Sequence, residues 1–199
     1  MASGFKYDLK ENQVNEERYD VSTGIRRRGA FKLVVAAAMA TVGVTLPSFM
    51  PVYADLKKKL AYPVINVTVA EKFVTGTNTT LKVKKGSFPY VGMILGTGSK
   101  GAEVAAVDKS DENFDVITLK ADFGVDIEAG AVLFEATAAG GTKQKYVANS
   151  ALYENKKMED GIMLVALLRT AAEIEPDKLA VPFSSNDKTN LKGWFDFNE

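Results

Sequence analysis

A glycine-rich run, GTGSKG at residues 96–101, is the feature of this sequence that most directly suggests chemistry. It fits the G-x-G-x-x-G pattern that holds the pyrophosphate of a dinucleotide, and it follows an apolar run. That pattern also needs a helix starting near Gly101, but the polar residues from Asp108 to Asn113 end any such helix after about two turns. The neighbouring runs alternate between apolar and polar residues, as in an antiparallel sheet. We therefore predict a glycine-rich hairpin loop and no dinucleotide site.

Oxygen-bearing side chains crowd the next loop, and such a set could bind calcium. They are Asp108, Asp111, Glu112, Asn113 and Asp115. A loop of the EF-hand type that starts at Asp108 would need glycine at its sixth position and glutamate at its twelfth, and the sequence has neither. We predict a solvated hairpin tip whose Asp and Asn side chains cap the backbone.

The missing residue types exclude many reactions. The chain has 199 residues and contains neither histidine nor cysteine. Zinc sites built on imidazole or thiolate, cysteine nucleophiles and histidine-based triads are therefore excluded. The carboxylate pairs Asp126/Glu128 and Glu173/Glu175 lack an adjacent apolar pocket or companion base. We predict that the chain is not an enzyme and that it uses no cofactor and no metal.

The balance of charge argues against two classes of partner. Lysine plus arginine and aspartate plus glutamate both number 25, so the formal net charge is zero. Such a chain has no overall field to attract nucleic acid or an anionic membrane. We predict neither of them as a partner.

Large aromatic side chains near turns or near the C-terminus are a more promising set, because protein partners commonly bury such groups. The aromatic set is Phe88, Tyr90, Tyr146, Tyr153, Trp194, Phe195 and Phe197. The alternative is that most of them form the core, and for Tyr90 and Trp194 the two interpretations stand equal. The candidates for protein contact along the whole chain are Tyr7, Tyr19, Arg26, Arg27, Arg28, Phe31, Phe49, Tyr90, Trp194 and Phe195.

Residues 1–32 are predicted to form an extended polar arm. The part before Arg28 is mainly polar and charged, and its few apolar residues follow neither a helical nor a strand period. An arm of this kind places isolated side chains into the grooves of another protein, whereas the ordinary alternative is a disordered tail. The three arginines Arg26, Arg27 and Arg28 either pair with acidic groups of a neighbour or keep the arm soluble.

Residues 33–59 are predicted to form an apolar anchoring segment. The stretch from Leu33 to Ala54 carries no charge and follows the three arginines, which resembles a signal peptide of the twin-arginine type. Pro47 and Pro51 would break a spanning helix, and residues 33–46 reach only about 21 Å as a helix, whereas a bilayer core needs about 30 Å. We predict a helix buried among protein, followed by an extended segment punctuated by proline. Export remains the chief alternative.

Residues 60–150 read as a β-rich domain. Short β-prone runs at 64–69, 81–84, 90–95, 103–107, 114–119 and 132–136 are separated by clusters of Gly, Asp and Asn. This texture predicts a mainly β fold, a small antiparallel sandwich or barrel with the extended arm and the buried apolar segment at its N-terminal side.

Residues 151–199 are predicted to complete or flank that domain. The run at 161–168 is apolar throughout, so it is a buried strand or a buried helix, and periodicity does not decide between them. Residues 170–180 suit short helical turns that break at Pro176.

Several segments carry a resemblance to a known family. They are VGMILG at 91–96, the acidic hairpin at 107–119, and the stretches at 130–147, 164–173 and 191–193. Over residues 31–193 the sequence resembles the head fiber proteins of tailed phages that infect Bacteroidetes, including crAss-like phages. The resemblance implies a capsid-bound decoration or fiber-anchoring subunit that is commonly oligomeric and has no catalytic residues. The resemblance does not extend to the charged arm before Arg26.

The resulting hypothesis is a structural virion protein on the surface of the phage head, made in the host cytoplasm. Its partners would be the major capsid protein or other virion subunits. We also expect a homo-oligomer, with a trimer favoured and a dimer possible. The alternative is an exported or cell-surface β-rich binding protein with an N-terminal signal or anchor.

Overall fold

The computed structural model describes residues 18–36, 40–76 and 78–198, and this part of the chain is mainly β. The strands are β1 Asp20–Arg26, β2 Phe31–Leu33, β3 Thr45–Leu46, β4 Pro51–Asp55, β5 Leu60–Pro63, β6 Asn66–Thr68, β7 Thr80–Lys84, β8 Ile94–Gly96, β9 Gly101–Asp108, β10 Phe114–Leu119, β11 Val132–Glu135, β12 Ser150–Leu152, β13 Lys156–Lys157, β14 Leu164–Val165, β15 Leu167–Ile174 and β16 Phe195–Phe197. The helix α1 spans Ser185–Leu191, and a 3-10 turn covers Pro176–Lys178. The prediction of a mainly β fold is confirmed.

The larger sheet has eight strands in the order β1-β15-β12-β4-β5-β2-β14, with β16 added to β15. β14 lies at one end of this order, but only Ala166 separates it from β15, which lies near the other end, so the two ends of the sheet come close together. The sheet therefore curls into a half-barrel instead of lying flat. Its strands come from both parts of the sequence, since β1, β2 and β4 pair with β15, β14 and β12.

The second sheet has six strands in the order β6-β11-β8-β9-β10-β7. The GTGSKG run is the loop of the β8–β9 hairpin, in which Gly96 pairs with Gly101, so the prediction of a hairpin loop is confirmed. The acidic loop is the tip of the β9–β10 hairpin. There the Asp108 carboxylate accepts from Ser110 N at 2.9 Å and the Asp111 carboxylate from Asn113 N at 2.8 Å, as the sequence predicts.

The prediction of a helix within residues 33–46 is wrong. Leu33 ends β2 and Leu46 ends β3, with a turn between them at residues 42–43. Phe31 and Leu33 face the core on either side of the exposed Lys32, and this alternation belongs to a strand. Residues 37–39 lie outside the described residues. The extended segment that follows is confirmed as β4, which begins at Pro51.

The apolar N-terminal segment is buried in this chain's own core, where Leu46 and Met50 are almost fully covered. Within the described ranges, the structure holds no helix with the length and apolar character needed to cross a bilayer.

The C-terminal apolar run forms strands, which settles the choice that periodicity left open. The expected helical turn over residues 170–174 is wrong, because these residues belong to β15. That strand pairs with β1, β12 and β16, and pairing on both sides outweighs local helix propensity. Only Pro176–Lys178 forms the expected turn.

The division of the chain into domains stays a prediction. The proposed boundary at residue 60 falls at the β4–β5 hairpin, whose two strands pair from Val52 with Pro63 to Asp55 with Leu60. One buried cluster also joins residues of both sheets, such as Phe31 with Leu81 and Leu133.

Candidate attachment surface

Arg18 is the first residue that the structure describes, and its hydrogen bonds fix it to the body of the protein. Its guanidinium donates from Nη1 to the carbonyl of Ser48 at 2.9 Å and to the hydroxyl of Ser48 at 2.7 Å. Its own carbonyl accepts from Glu175 N at 2.9 Å. The described part of the chain is therefore held to the body of the protein at its first residue.

Tyr19, the next residue along the chain, packs into an aromatic cluster. Its ring centroid lies 4.7 Å from that of Phe49, which also contacts Phe183 at 5.9 Å and Phe195 at 5.8 Å. Burial, and to a lesser degree the charge of Tyr153, raises the pKa of Tyr19. The backbone of Phe49 has φ of 62°, a left-handed conformation that costs a non-glycine residue about 1–3 kcal/mol. Packing of the Phe49 ring must offset that cost.

The residues from Asp20 to Arg26 are extended, as the sequence predicts, but they pair with a strand of the same chain and not with another protein. β1 pairs with β15, from Asp20 opposite Ala172 to Arg26 opposite Leu168. β1 stands at the end of the strand order, so one of its edges carries no strand from the described residues. Val21 and Ile25 on β1 are 64% and 58% exposed. The predicted arm therefore forms an edge strand at residues 20–26, whereas residues 1–17, including Tyr7, lie outside the described residues.

Three predicted contact residues are buried. Phe31, Phe49 and Phe195 are 0%, 1% and 5% exposed, so their rings are covered by this chain's own side chains. For Phe195 the alternative of a core residue applies, because β16 lies along β15 and directs this ring toward Phe49 and Phe183. Trp194 next to it is 49% exposed.

Positive side chains gather beside β1 around a shallow cavity of about 400 Å³. Its lining residues are Ile25, Arg26, Arg27, Arg28, Phe31, Leu56, Lys59 and Arg169. Arg27 is half-buried and donates to Ser150 Oγ at 2.6 Å and to the carbonyl of Asn149 at 2.7 Å. Burial first, and the charge of Arg169 second, lower the pKa of Arg27. The cavity therefore brings several positive charges close together, and a bound anionic group would reduce the repulsion between them.

The other arginines of this cavity rest on aromatic rings. The guanidinium of Arg26 lies 4.9 Å from the Tyr153 ring and that of Arg169 lies 4.5 Å from the Trp194 ring. Among residues 18–36, 40–76 and 78–198, the ion pairs use lysine, and no arginine pairs with a carboxylate. Stacking on an aromatic ring leaves the edge of a guanidinium free to bind a carboxylate.

Tyr90 is not part of this surface. Its hydroxyl donates to the carboxylate of Glu135, which also accepts from Lys145 at 2.7 Å. Burial first, and the hydrogen bond to Glu135 second, raise the pKa of Tyr90 to about 12.

Of the ten predicted contact residues, eight lie in this region of the structure, three of them with buried rings. Tyr90 lies apart from them, and Tyr7 is outside the described residues. Whether they contact a partner stays a prediction.

Sequence reasoning missed Arg18, Lys59 and Arg169 as members of this surface. They come from three separate stretches of chain, and no local pattern marks them. Across the described ranges, no group of three or more acidic residues is placed to hold a metal ion.

The chain matches one family model, described as head fiber protein, over residues 1–195. No match was found among curated proteins or among solved structures. The narrower placement among phages of Bacteroidetes stays a prediction. Because the match covers nearly the whole sequence, the chain belongs to the phage head fiber protein family and is a structural component of the virion.

Proposed function

We propose that this chain is a non-enzymatic head fiber subunit that its N-terminal arm attaches to the protein shell of the phage head. The β-rich body stands outside the shell, and copies of the chain associate with one another. The major capsid protein or another shell subunit is the partner of the arm. The subunit is made in the host cytoplasm and then joins the head.

The fixed junction at Arg18 is the observation that supports this attachment. The guanidinium and carbonyl of Arg18 are both hydrogen-bonded, and the ring of Tyr19 packs on the buried Phe49. A force on residues 1–17 would therefore be transmitted through Arg18 and Tyr19 to the aromatic cluster and to the β1–β15 pair. Fully extended, these residues reach at most roughly 60 Å, which is ample to enter grooves between shell subunits.

Exposed apolar groups near the junction extend the proposed contact. Val21 and Trp194 are 64% and 49% exposed. Val21 belongs to β1 and Trp194 directly precedes β16. These two strands flank β15, where Asp20 lies opposite Ala172 and Phe195 lies opposite Ala171. Large exposed groups beside an attached arm are suitable anchors for a partner protein. This arrangement supports contact between the shell and the face that carries the arm.

The test uses heads purified from phage that lack this protein. Full-length chain is mixed with the heads and sedimented, alongside a chain that starts at Arg18. We expect the full-length chain to sediment with the heads and the shortened chain to stay in solution with unchanged circular dichroism. Equal sedimentation of both chains would refute attachment through the arm.

A matched control separates sequence from charge. In it, residues 1–17 are present in shuffled order, so that length and composition stay the same. If the arm fits specific grooves, this control binds as poorly as the shortened chain. If it binds as well as the natural sequence, the arm acts only as a charged tether, and the proposed groove contacts are wrong.

A trimer is the favoured assembly and a dimer the second choice. The edge of β1 that no strand of the described residues covers, and the exposed apolar residues on the eight-stranded sheet, support association between copies. Light scattering coupled to size exclusion gives the mass directly. A strict monomer at micromolar concentration would refute this part of the proposal.

A further inference from the structure

Two oppositely charged patches border the eight-stranded sheet and match one another in composition. The arginine patch consists of Arg26, Arg28, Lys59 and Arg169 with the exposed Ile25 and Leu56. The acidic patch consists of Glu159 and Asp160 with the exposed Ile162 and Leu164. Each patch thus combines charges of one sign with two aliphatic side chains.

The arginine patch has no carboxylate partner among the described residues of its own chain. None of its three arginines forms an ion pair there, and Lys59 Nζ reaches only the carbonyl of Arg28, at 3.3 Å, and the Phe31 ring. Ile25 and Leu56 are 58% and 48% exposed beside these charges. Aliphatic groups next to uncompensated charge indicate an interaction surface.

The acidic patch is equally open. Glu159 and Asp160 are exposed, and neither carboxylate has an ion pair with any described residue. Ile162 is 74% exposed, more than any other large apolar side chain in the described ranges, and Leu164 is 56% exposed. Lys32 lies opposite Leu164 and forms the margin of the patch.

The β2–β14 pair separates the two patches. Arg28 precedes β2 and Asp160 precedes β14, and these strands are antiparallel, with Leu164 opposite Lys32 and Val165 opposite Phe31. The residues that precede two antiparallel strands lie at opposite ends of the pair. The patches therefore do not close on each other within one chain, whereas the patches of two neighbouring copies are free to meet.

We propose that the arginine patch of one copy binds the acidic patch of the next copy. The inference rests on the proposed function only in that it assumes association between copies. Because two different surfaces meet, the contact is head-to-tail, and repetition around an axis closes a ring such as the proposed trimer. Arg26 and Arg28 bind Glu159 and Asp160, while Ile162 and Leu164 pack against Ile25 and Leu56.

Charge reversal tests the pairing. One variant carries Arg26→Glu with Arg28→Glu, a second carries Glu159→Lys with Asp160→Lys, and a third combines all four changes. The control carries Lys100→Glu with Lys109→Glu, two exposed lysines of the six-stranded sheet. Molar mass is measured by light scattering over a range of micromolar concentrations, and circular dichroism checks the fold of each variant.

We expect each two-site variant to associate at least tenfold more weakly than the natural chain. Combining the four changes should restore association, because the reversed patches again carry opposite charge. The lysine control should behave like the natural chain. Glu159 and Asp160 are exposed, so their variant keeps the test valid even if reversal of the arginines disturbs folding.

Three results would overturn the inference, and one of them would also overturn the proposed association between copies. If the natural chain forms oligomers that neither charge reversal weakens, the pairing of these patches is wrong and the proposed association stands. If the natural chain stays monomeric, the pairing and the proposed association both fail. Weakening that the combined variant does not reverse would also contradict the pairing, since it would show that the patches do not meet.

Discussion

The side-chain amide of Asn66 donates to the carboxylate of Asp187 over 2.8 Å, and this hydrogen bond ties β6 in the six-stranded sheet to α1. Asp187 is fully buried. Its carboxylate also accepts from Gln144 Nε2 at 2.9 Å, from Ala148 N at 2.7 Å and from Ser184 N at 3.0 Å. The Asp187 carboxylate therefore links the six-stranded sheet to the C-terminal segment that carries Trp194.

Replacing Asp187 with asparagine should destabilise the protein strongly. The new amide group would direct its hydrogens toward groups that are themselves donors, and a buried donor without an acceptor is costly. We expect the free energy of unfolding to fall by about 2–4 kcal/mol, measured by urea titration. The exposed Asp196→Asn change is the control and should alter it by less than about 0.5 kcal/mol. Equal effects at the two sites would contradict the role given to Asp187.

Two adjacent glycines offer a matched pair of substitutions. A Cβ on Gly141 would collide with the carbonyl of Lys100 in the β8–β9 hairpin, and Gly141 has φ of 64°. A Cβ on Gly140 would meet nothing within 4 Å. We expect Gly141→Ala to lower the free energy of unfolding by about 2–4 kcal/mol and Gly140→Ala to leave it nearly unchanged. Similar melting temperatures for the two variants would refute the close approach of these loops.

Stability should fall in alkaline solution, partly through Tyr90. Its pKa is raised to about 12 in the folded protein, so folding favours the protonated hydroxyl. Burial lowers the pKa of Lys145, but its hydrogen bond to Glu135 and the charge of Glu135 outweigh this, and the net pKa is raised. Both contributions are present below about pH 10 and are lost as the pH rises toward about 12.

Urea titrations at the two ends of that pH range measure this loss. The natural chain should lose more stability than Tyr90→Phe, which has no ionisable group at this position. Tyr19, whose pKa is also raised, remains in both proteins and so cancels in the comparison. An equal loss in the two proteins would show that Tyr90 does not contribute.

Trp194 should contribute to binding of the head rather than to folding. Its side chain is half exposed and lies under the guanidinium of Arg169. We expect Trp194→Ala to weaken sedimentation with purified heads about tenfold, as for an aromatic anchor in an interface. Val91→Ala serves as the control, because Val91 is 61% exposed and lies in the turn before β8, in the other sheet's part of the chain. Binding that changes equally in both variants would remove Trp194 from the attachment surface.

The sequence predicts the β-rich part well because the signals there are local. Alternation of apolar and polar residues marks β9 and β10, and the turn residues between them mark their hairpin. It fails at residues 33–46, where alanine and valine dominate and an apolar run suits a buried helix or several short strands equally. The pairing of β2 with β14, more than 130 residues away along the chain, decides between them and leaves no local trace.

The candidate surface was predictable only in part. Arg26, Arg27 and Arg28 stand together in the sequence, so their shared position follows directly. Arg169 and Lys59 reach them through strand pairing that no short pattern reveals. The helix α1 was also missed because its residues are polar, although Ser184 and Asp187 have the spacing of a capping box, which the structure contains.

Cross-linking of purified virions with an amine-reactive reagent, followed by mass spectrometry, tests the central claim most directly. The arm contains Lys6 and Lys10, while Lys100 and Lys109 lie at hairpin tips of the six-stranded sheet. Attachment through the arm predicts links from Lys6 and Lys10 to shell subunits and no such links from Lys100 or Lys109. Shell links from the hairpin lysines, with the arm lysines linked only to other copies of this chain, would contradict it.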